Sequence, residues 1–581
     1  MRHSDADSFV EMPSPVGPAS APGSILMRPR HARAALYAAI VIVAIAASVT
    51  GLANGFALDD VAIVADNARV HSLHRWWQLF GAPYWPPQFG ASLYRPILTL
   101  GFAAQWVAGG GAPWVFHAVS VVLYTALCAL VLALFLDLVP PVGAAIGAVL
   151  FAAHPVHVEA VANVVGQSEL LAATAMIGAC VIYVRARRTG RIGAVPTAVI
   201  ALLFVIACLS KEHGLLLPLL LAALELLAVH GEEPSGSLQL RARVRAAGAL
   251  FGLLGVLGVA YLGVRTAVLG DVLGEMHPVP VYGIRRLWVM LVVVPHWLRL
   301  LAWPAHLSAD YSPQQIPVPD GPGAELVAGL LSLAAAALAF LALGNRAGNW
   351  RCERSAARLG LAWMAVALLP VSNLFSVMIV EERTLLMSSV GAMVLVGAGA
   401  AVVWRERPEG RNTLAWRVCL TAMTGCLVLA GLLRSRARQP VWRDDTTLFT
   451  QTVEDAPRSY RAQFFYGQLL FAQGRLAEGE RHLRLAIALN PTPADVSPLN
   501  FLATEYRDAG MCPQALPLYE RALANDAARP DVRYGLASCL LATGRVAEAR
   551  RLAEDGLRRG DLKAFFLELI ARADSAGVRG G

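Results

Sequence analysis

Charged residues fall in bursts along this chain, separated by long uncharged stretches. None occurs from Ala35 to Leu58, and Pro96 to Leu136 carries none apart from His117 in its ionised form. Uncharged apolar stretches of about 18 residues or more read as membrane-crossing helices. The pattern predicts eleven spans, at 35–54, 114–136, 140–155, 165–184, 192–208, 214–229, 246–268, 323–344, 359–377, 385–404 and 415–433. Basic bursts orient them: RPRHAR (28–33), RARRTGR (185–191), RARVR (241–245), NRAGNWRCERSAAR (345–358) and RERPEGR (405–411) belong on the cytoplasmic side. The apolar segment 287–304 is interrupted by Pro295, His296 and Arg299, and a crossing there would put 345–358 outside. It is therefore expected to be re-entrant or interfacial on the outer side. The C-terminus then lies outside, and RSRAR (434–438) is the one basic cluster against the rule.

The loop between the first two spans is rich in Trp and Tyr with interspersed basic residues, in HRWWQLF (74–80), PYWPPQF (83–89) and YRPILTLGFAAQWV (94–107). Such segments are expected to lie as interfacial helices in the headgroup region, where they suit a substrate with a lipid tail. After Arg438 the pattern changes to that of a soluble chain. Gly474, Gly510 and Gly544 recur at separations of 36 and 34 residues, and Gly479, Ala515 and Ala549 each follow five residues later. A period near 34 with small residues at the helix crossings predicts three tetratricopeptide repeats, a solenoid suited to binding a protein or peptide.

The expected fold is all-α: a polytopic membrane domain at 33–434 and a repeat solenoid at 435–581, preceded by a disordered cytoplasmic tail at 1–32. Composition agrees, with 56% apolar and only 15% charged residues. The net charge of +8 comes from arginines placed between spans, with Lys211 and Lys563 the only lysines, so topology explains it and a nucleic-acid partner is not implied. The first span has no clear cleavage site behind it and reads as uncleaved. Eight cysteines include no CxxC pair. Cys512 and Cys539 can pair if the repeats are extracytoplasmic, although two buried free thiols are the simpler expectation.

Topology brings most remaining polar groups to one membrane face: Asp59 and Asp60, Arg95, HPVHVEA (154–160), SKEHG (210–214), Asp271, Asp310 and EER (381–383). Paired carboxylates, cations and a lipid-compatible loop on one face suggest a transfer reaction there. A carboxylate takes a proton from an acceptor hydroxyl, and Arg383, Lys211 or Arg95 stabilises a departing phosphate. The donor so implied is a polyprenyl-phosphate sugar. Adjacent acids can equally share a proton, hold a divalent ion or cap a helix, and adjacency alone does not choose. Lys211–Glu212 and Glu382–Arg383 each have a plain reading as a local ion pair, and His154 before Pro155 as a turn residue.

The motifs FALDDVAIVADN, YRPILTL, HPVHVEAVANVVGQSELLA, LSKEHG, LPVSNLFSVMIVEERTLLMSS and VWRDDTTLFTQTVEDAP, in that order and followed by the repeats, resemble the transmembrane and tetratricopeptide-repeat-containing O-mannosyltransferases of the C-type glycosyltransferase superfamily. The resemblance runs from about residue 35 to the end. It implies an inverting hexosyltransferase in a bacterial inner membrane, with the repeats on the periplasmic side and an acceptor protein as partner. It places Asp59 at the acceptor hydroxyl with Asp60 beside it, and makes His154, His157, Glu159, Glu382 and Arg383 cavity-lining residues, joined by Arg95, Lys211 and Glu212 as binding candidates. The chain departs from the family where ERTLLMSS stands for the common ERYLYLPS, and where Gln167 replaces an Arg after VVG. Sugar or phosphate contacts can lie at both places, so the resemblance leaves the donor sugar open, with mannose one candidate. Transfer to a lipid or glycan, a non-catalytic scaffold and a transporter are the competing readings. A transporter lacks support, since no inverted repeat or mid-span charge is evident.

Overall fold

In the computed structural model the described residues are 29–579, without 90–91, 191, 230–236, 272–282, 313, 318, 320, 345–349, 374–379, 406–410, 491–494 and 561. The tail expected at 1–32 lies almost wholly outside them, as do parts of the basic clusters at 345–358 and 405–411. Among the described residues there are helices and turns and no strand.

Each predicted span coincides with a helix, but the helices are not alike. Among the described residues seven segments are long and apolar enough to cross a membrane: Arg30–Ala53, Pro113–Leu138, Val164–Arg188, Ala247–Leu269, Ala324–Gly344, Glu382–Arg405 and Thr413–Trp442. The span expected at 140–155 is a helix pair, Pro141–Ala152 and Pro155–Ala162, bent by 47° at a break where Pro155 cannot continue the first helix; counted as one span it makes eight. The remaining expected spans are shorter or more charged. Ala194–Ser210 has 17 residues, Leu217–Leu227 has 11, and Arg351–Leu368 carries arginines in its first turns. The segment expected to be re-entrant is the 19-residue helix Ile284–Ala302, with Pro295 inside it.

Close helix contacts follow from glycine. A Cβ on Gly143 would stand 2.3 Å from the Gly397 carbonyl oxygen, and one on Gly360 would stand 2.6 Å from that of Gly391. Small residues let backbones approach where the apolar solvent offers no hydrophobic drive. Arginines of the predicted cytoplasmic clusters tie span ends together: Arg187 to Glu225 at 2.6 Å, Arg188 to Asp137 at 2.9 Å and Arg405 to Glu353 at 2.7 Å.

The aromatic loop is not a row of interfacial helices. Among its described residues only Pro96–Gly109 is a long α-helix, and the rest forms 3-10 turns and one π-helical turn, Val61–Ala65, around a core of Ile63, Val64, Val70, Leu79, Tyr84, Leu98, Phe102 and Phe116. Trp76, Trp77 and Phe89 project from it, 48%, 58% and 50% exposed, which leaves them free to meet a headgroup layer. Prolines and glycines in the loop favour turns over helix, which is why the aromatic pattern overstated its helicity.

The repeats are the pairs Tyr460–Ala472 with Leu476–Leu489, Ser497–Asp508 with Cys512–Asn525, and Pro530–Ala542 with Val546–Arg558, followed by Lys563–Arg579. The recurring Gly474, Gly510 and Gly544 sit in the turn inside each pair with φ of +76°, +75° and +82°, left-handed values that glycine adopts without strain. Cys512 and Cys539 form a disulfide with Cα atoms 5.1 Å apart, which corrects the expectation of free thiols. Each lies on a different repeat but on facing helices, a proximity that a count of residues between them does not reveal.

Candidate active site

The first span ends in a tight reversal. Asn54 and Gly55 leave the helix end, and the chain turns through Ala57–Asp60, with the Asp60 amide donating to the Ala57 carbonyl at 3.1 Å. Leu58 adopts φ of +54°, a costly value for a branched side chain. The turn points the two adjacent carboxylates into different surroundings.

Asp60 is buried, 1% exposed, and accepts the amides of Val164 at 3.0 Å and Val165 at 2.8 Å. It anchors the start of the span that continues as Gln167–Arg188. Burial pushes its carboxyl up to about 7, against the pull of those amides. Asp59 is half-buried and its carboxylate, among the described residues, makes no hydrogen bond; its nearest partner is Arg383 Nη1 at 3.8 Å. Burial raises the Asp59 carboxyl above the usual carboxylate range, while Arg383, Arg461 and Arg95 pull it down and Glu381 pushes it up.

The other acids and bases do not pair with their sequence neighbours. Arg383 donates its amide to Glu159 at 2.9 Å and its Nε to Glu381 at 3.1 Å. Glu382 turns away from Arg383 and accepts from the Ser308 amide at 2.7 Å and from the Tyr311 hydroxyl, so it fixes the 308–312 loop. Lys211 pairs with Glu169 rather than Glu212. Glu212 instead receives Arg95 bidentately, at 2.7 and 3.2 Å, and Arg95 lies over the Tyr84 ring, 5.2 Å from its centre. Burial alone would raise Glu212, but Arg95 holds it well below its usual range. Glu381 is likewise held down, by Arg383 and Lys211, against burial.

His154 and His157 stand apart from this network. The His154 ring takes the Val156 amide and the Leu301 carbonyl, and His157 bridges the Tyr124 and Ser389 hydroxyls at 2.9 and 2.8 Å. Both nitrogens of each ring are committed inside the helix bundle. Gln167 is in a reciprocal amide pair with Gln105, each Nε2 2.9 Å from the other's Oε1. The amide pair explains how Gln fills this buried place without a counter-charge. No group of three or more His, Cys, Asp or Glu side chains converges on one point among the described residues, and both Asp60 oxygens are committed to amides. The adjacent acids therefore do not form a ready-made cation site.

Sequence placed Glu381 and Asp310 on this face without giving them a role, and it missed Arg461. Glu381 is the carboxylate that shares Arg383 with Glu159. Asp310 accepts from the Ser312 amide at 2.8 Å and the Ser459 hydroxyl at 2.6 Å. Arg461, in the first repeat helix, reaches Asp310 at 3.7 Å and faces Asp59 and Glu381, with its side chain 48% exposed. The first repeat thus rests against the Asp59 face of the membrane domain. Arg438, in the one basic cluster against the topology rule, is buried in an ion pair with Asp455 at its exit from the last span.

Tetratricopeptide-repeat family models match residues 447–492 and 506–564. The chain also aligns with curated proteins over about three quarters of its length. It is 25% identical over 527 residues to the protein O-mannosyl-transferase Tmtc1 of Drosophila melanogaster, across 76% of this chain. Human TMTC1 is 26% identical over 506 residues and mouse TMTC4 26% over 482, across 79% and 74% of this chain. Its homologues are protein O-mannosyl-transferases. The chain spans 60%, 55% and 63% of the length of these three relatives. An Archaeoglobus fulgidus oligosaccharyltransferase crystallised with a tethered acceptor peptide overlaps 80% of this chain and 60% of its own. At 12% identity and a TM-score of 0.34, that overlap is too loose to bear on the fold.

Proposed function

We propose that the chain is a membrane glycosyltransferase that moves a sugar from a polyprenyl-phosphate donor to a hydroxyl of a protein, with Asp59 as general base. The observation that carries this reading is the division between the two acids. Asp60 is committed to backbone amides, while Asp59 is partly open, without a hydrogen-bond donor among the described residues, and beside Arg383. The homologues' activity supplies the reaction class, and mannose is the sugar their names specify.

In this reading the acceptor O–H gives its proton to the Asp59 carboxylate as its oxygen attacks the anomeric carbon of the sugar. The bond from that carbon to the phosphate oxygen breaks, its electron pair leaves with the polyprenyl phosphate, and the anomeric centre inverts. Burial raises the proton affinity of Asp59 and so makes it a stronger base, while Arg383 keeps enough of it ionised to act. Charge leaving on phosphate needs a cation. Arg383 is already shared by Glu159 and Glu381, Arg95 by Glu212 and Lys211 by Glu169, whereas the half-exposed Arg461 has only the long 3.7 Å contact with Asp310 and is the group best placed to meet it. No step is routed through a metal, because no cluster of side chains among the described residues builds a site for one.

The repeats are proposed to present the acceptor polypeptide; the connector that leads into them bonds the Asp59 turn, and Ser459 and Arg461 at the start of the first repeat meet Asp310, which supports a shared side of the membrane. The Cys512–Cys539 disulfide supports an oxidising side, which in a bacterial inner membrane is the periplasm. The test supplies membranes containing the full chain with radiolabelled polyprenyl-phosphate sugars. Label in protein supports the reading, and label confined to glycolipid contradicts the protein acceptor.

A further inference from the structure

The turn that carries Asp59 is held from two sides. On one side Asp60 grips the Val164 and Val165 amides. On the other stands the segment 439–459, which runs from the outer end of the last span and connects it to the repeats. Asn54 donates to the Gln439 carbonyl at 2.9 Å, and the Gly55 amide donates to that of Arg443 at 2.8 Å. The Leu58 amide donates to Asp445 Oδ1 at 2.6 Å. Ala57, Val158, Ala162, Trp442 and Leu448 form a small apolar cluster around the same turn, with Leu58 and Phe449 packed against it.

Leu58 is the residue with left-handed φ, and it immediately precedes Asp59. Backbone in that region persists only where its surroundings impose it. An amide fixed by a carboxylate is such an imposition, since the charge-assisted bond sets the plane of the peptide that leads into Leu58. Asp445 begins the helix Asp445–Asp455, whose N-cap is its neighbour Asp444, with Oδ1 accepting the Thr447 amide at 2.8 Å. Capping is thus done by Asp444, and the Asp445 carboxylate is free to reach across to Leu58. The same connector touches the 308–315 loop through Ser459 and Arg458, so it lies between the two loops that flank the site.

We infer that Asp445 is a positioning residue for the transfer reaction, holding Leu58 in its strained turn so that Asp59 faces the acceptor. The connector is then part of the catalytic centre as well as a tether for the repeats. This rests on Asp59 being the base.

The experiment compares Asp445→Ala and Asp445→Asn in the full-length protein. Asn retains an oxygen that accepts the Leu58 amide; Ala does not. A base displaced by about 1 Å loses on the order of a hundredfold in rate. Asp445→Ala should therefore lower kcat by tenfold or more with donor KM within about twofold, and Asp445→Asn should restore most of it. Hydrogen exchange of the peptide containing Leu58 gives a readout independent of turnover: protection falls in the Ala variant and persists in the Asn variant. If Asp445→Ala does not accumulate, Asp445→Ser, too short to reach the amide, replaces it. Unchanged kcat with unchanged Leu58 protection overturns the inference, as does equal loss in the Ala and Asn variants. Asp59→Asn is assayed beside them. Full activity there removes the base reading, whereas an inactive Asp59→Asn beside an active Asp445→Ala removes only the inference.

Discussion

Replacing Asp60 separates structural from chemical work in the paired acids. In Asp60→Ala, two buried backbone amides at 164 and 165 lose their acceptor. Hydrogen bonds to a charged group contribute about 1.5–3 kcal/mol each, and a buried amide left unpaired costs a similar amount. Removing a carboxyl that burial already disfavours offsets part of that, so a net loss of about 3–5 kcal/mol is expected. At roughly 2–3 °C per kcal/mol for a large domain, the melting midpoint in detergent should fall by about 6–15 °C. Asp60→Asn keeps one good acceptor and should lose about half as much. Asp59→Asn removes no hydrogen bond and should leave the midpoint nearly unchanged, since its closest partner is 3.8 Å away. The assay is thermal unfolding of purified protein, with transfer measured well below the midpoint. An Asp60→Ala protein that melts like wild type yet has lost transfer would refute the division, as would an Asp59→Asn protein that melts as early as Asp60→Ala.

Other consequences follow from the same geometry. Asp59 is faced by Arg383, Arg461, Arg95, Glu381 and Asp60, and a base must be ionised to act, so activity should fall on the acid side of a pKa raised above 3.8. Arg461→Gln removes a cation that lowers this pKa, so the acid limb of the kcat/KM profile should move to higher pH; a limb that stays put or moves down would contradict the contact. Opening the Cys512–Cys539 bridge by Cys539→Ser releases a loop of 27 residues, which the chain-entropy account values at about 3.5 kcal/mol, so the repeats should unfold earlier by thermal or denaturant assay. Gly397→Leu should prevent the contact with Gly143 and reduce folded yield, whereas exposed Leu427→Ala should not.

The sequence carried the helices and repeats because both leave periodic marks. The uncharged runs became helices at nearly the expected places, and the glycines at 474, 510 and 544 took left-handed turns. It did not carry the bend at Pro155 as a break in a span, since hydropathy is blind to direction. The site was legible as a set of residue types and illegible as a network. Adjacent letters such as KE and ER invited local pairing, yet Lys211 meets Glu169 across 42 residues, Arg95 meets Glu212 across 117 and Arg383 meets Glu159 across 224. Side chains of neighbouring residues in a turn point apart, so adjacency says little about contact. Arg461 and Asp445 stayed hidden for a different reason: Arg461 sits in a helix that the repeat pattern explains, and Asp445 in the VWRDDTTLFTQTVEDAP motif, where nothing local marks its partner. Their contribution depends on how the first repeat packs on the membrane domain, which local pattern does not encode.

The most direct test of the central claim compares transfer by wild type and Asp59→Asn at matched levels of folded protein, using a labelled polyprenyl-phosphate sugar and scoring label in protein. The account predicts transfer by wild type and a loss of at least a hundredfold in the variant, the scale of a missing general base, with the melting midpoint unchanged. Transfer at equal rates in both would contradict it and return Asp59 to the role of a loop acid beside Arg383.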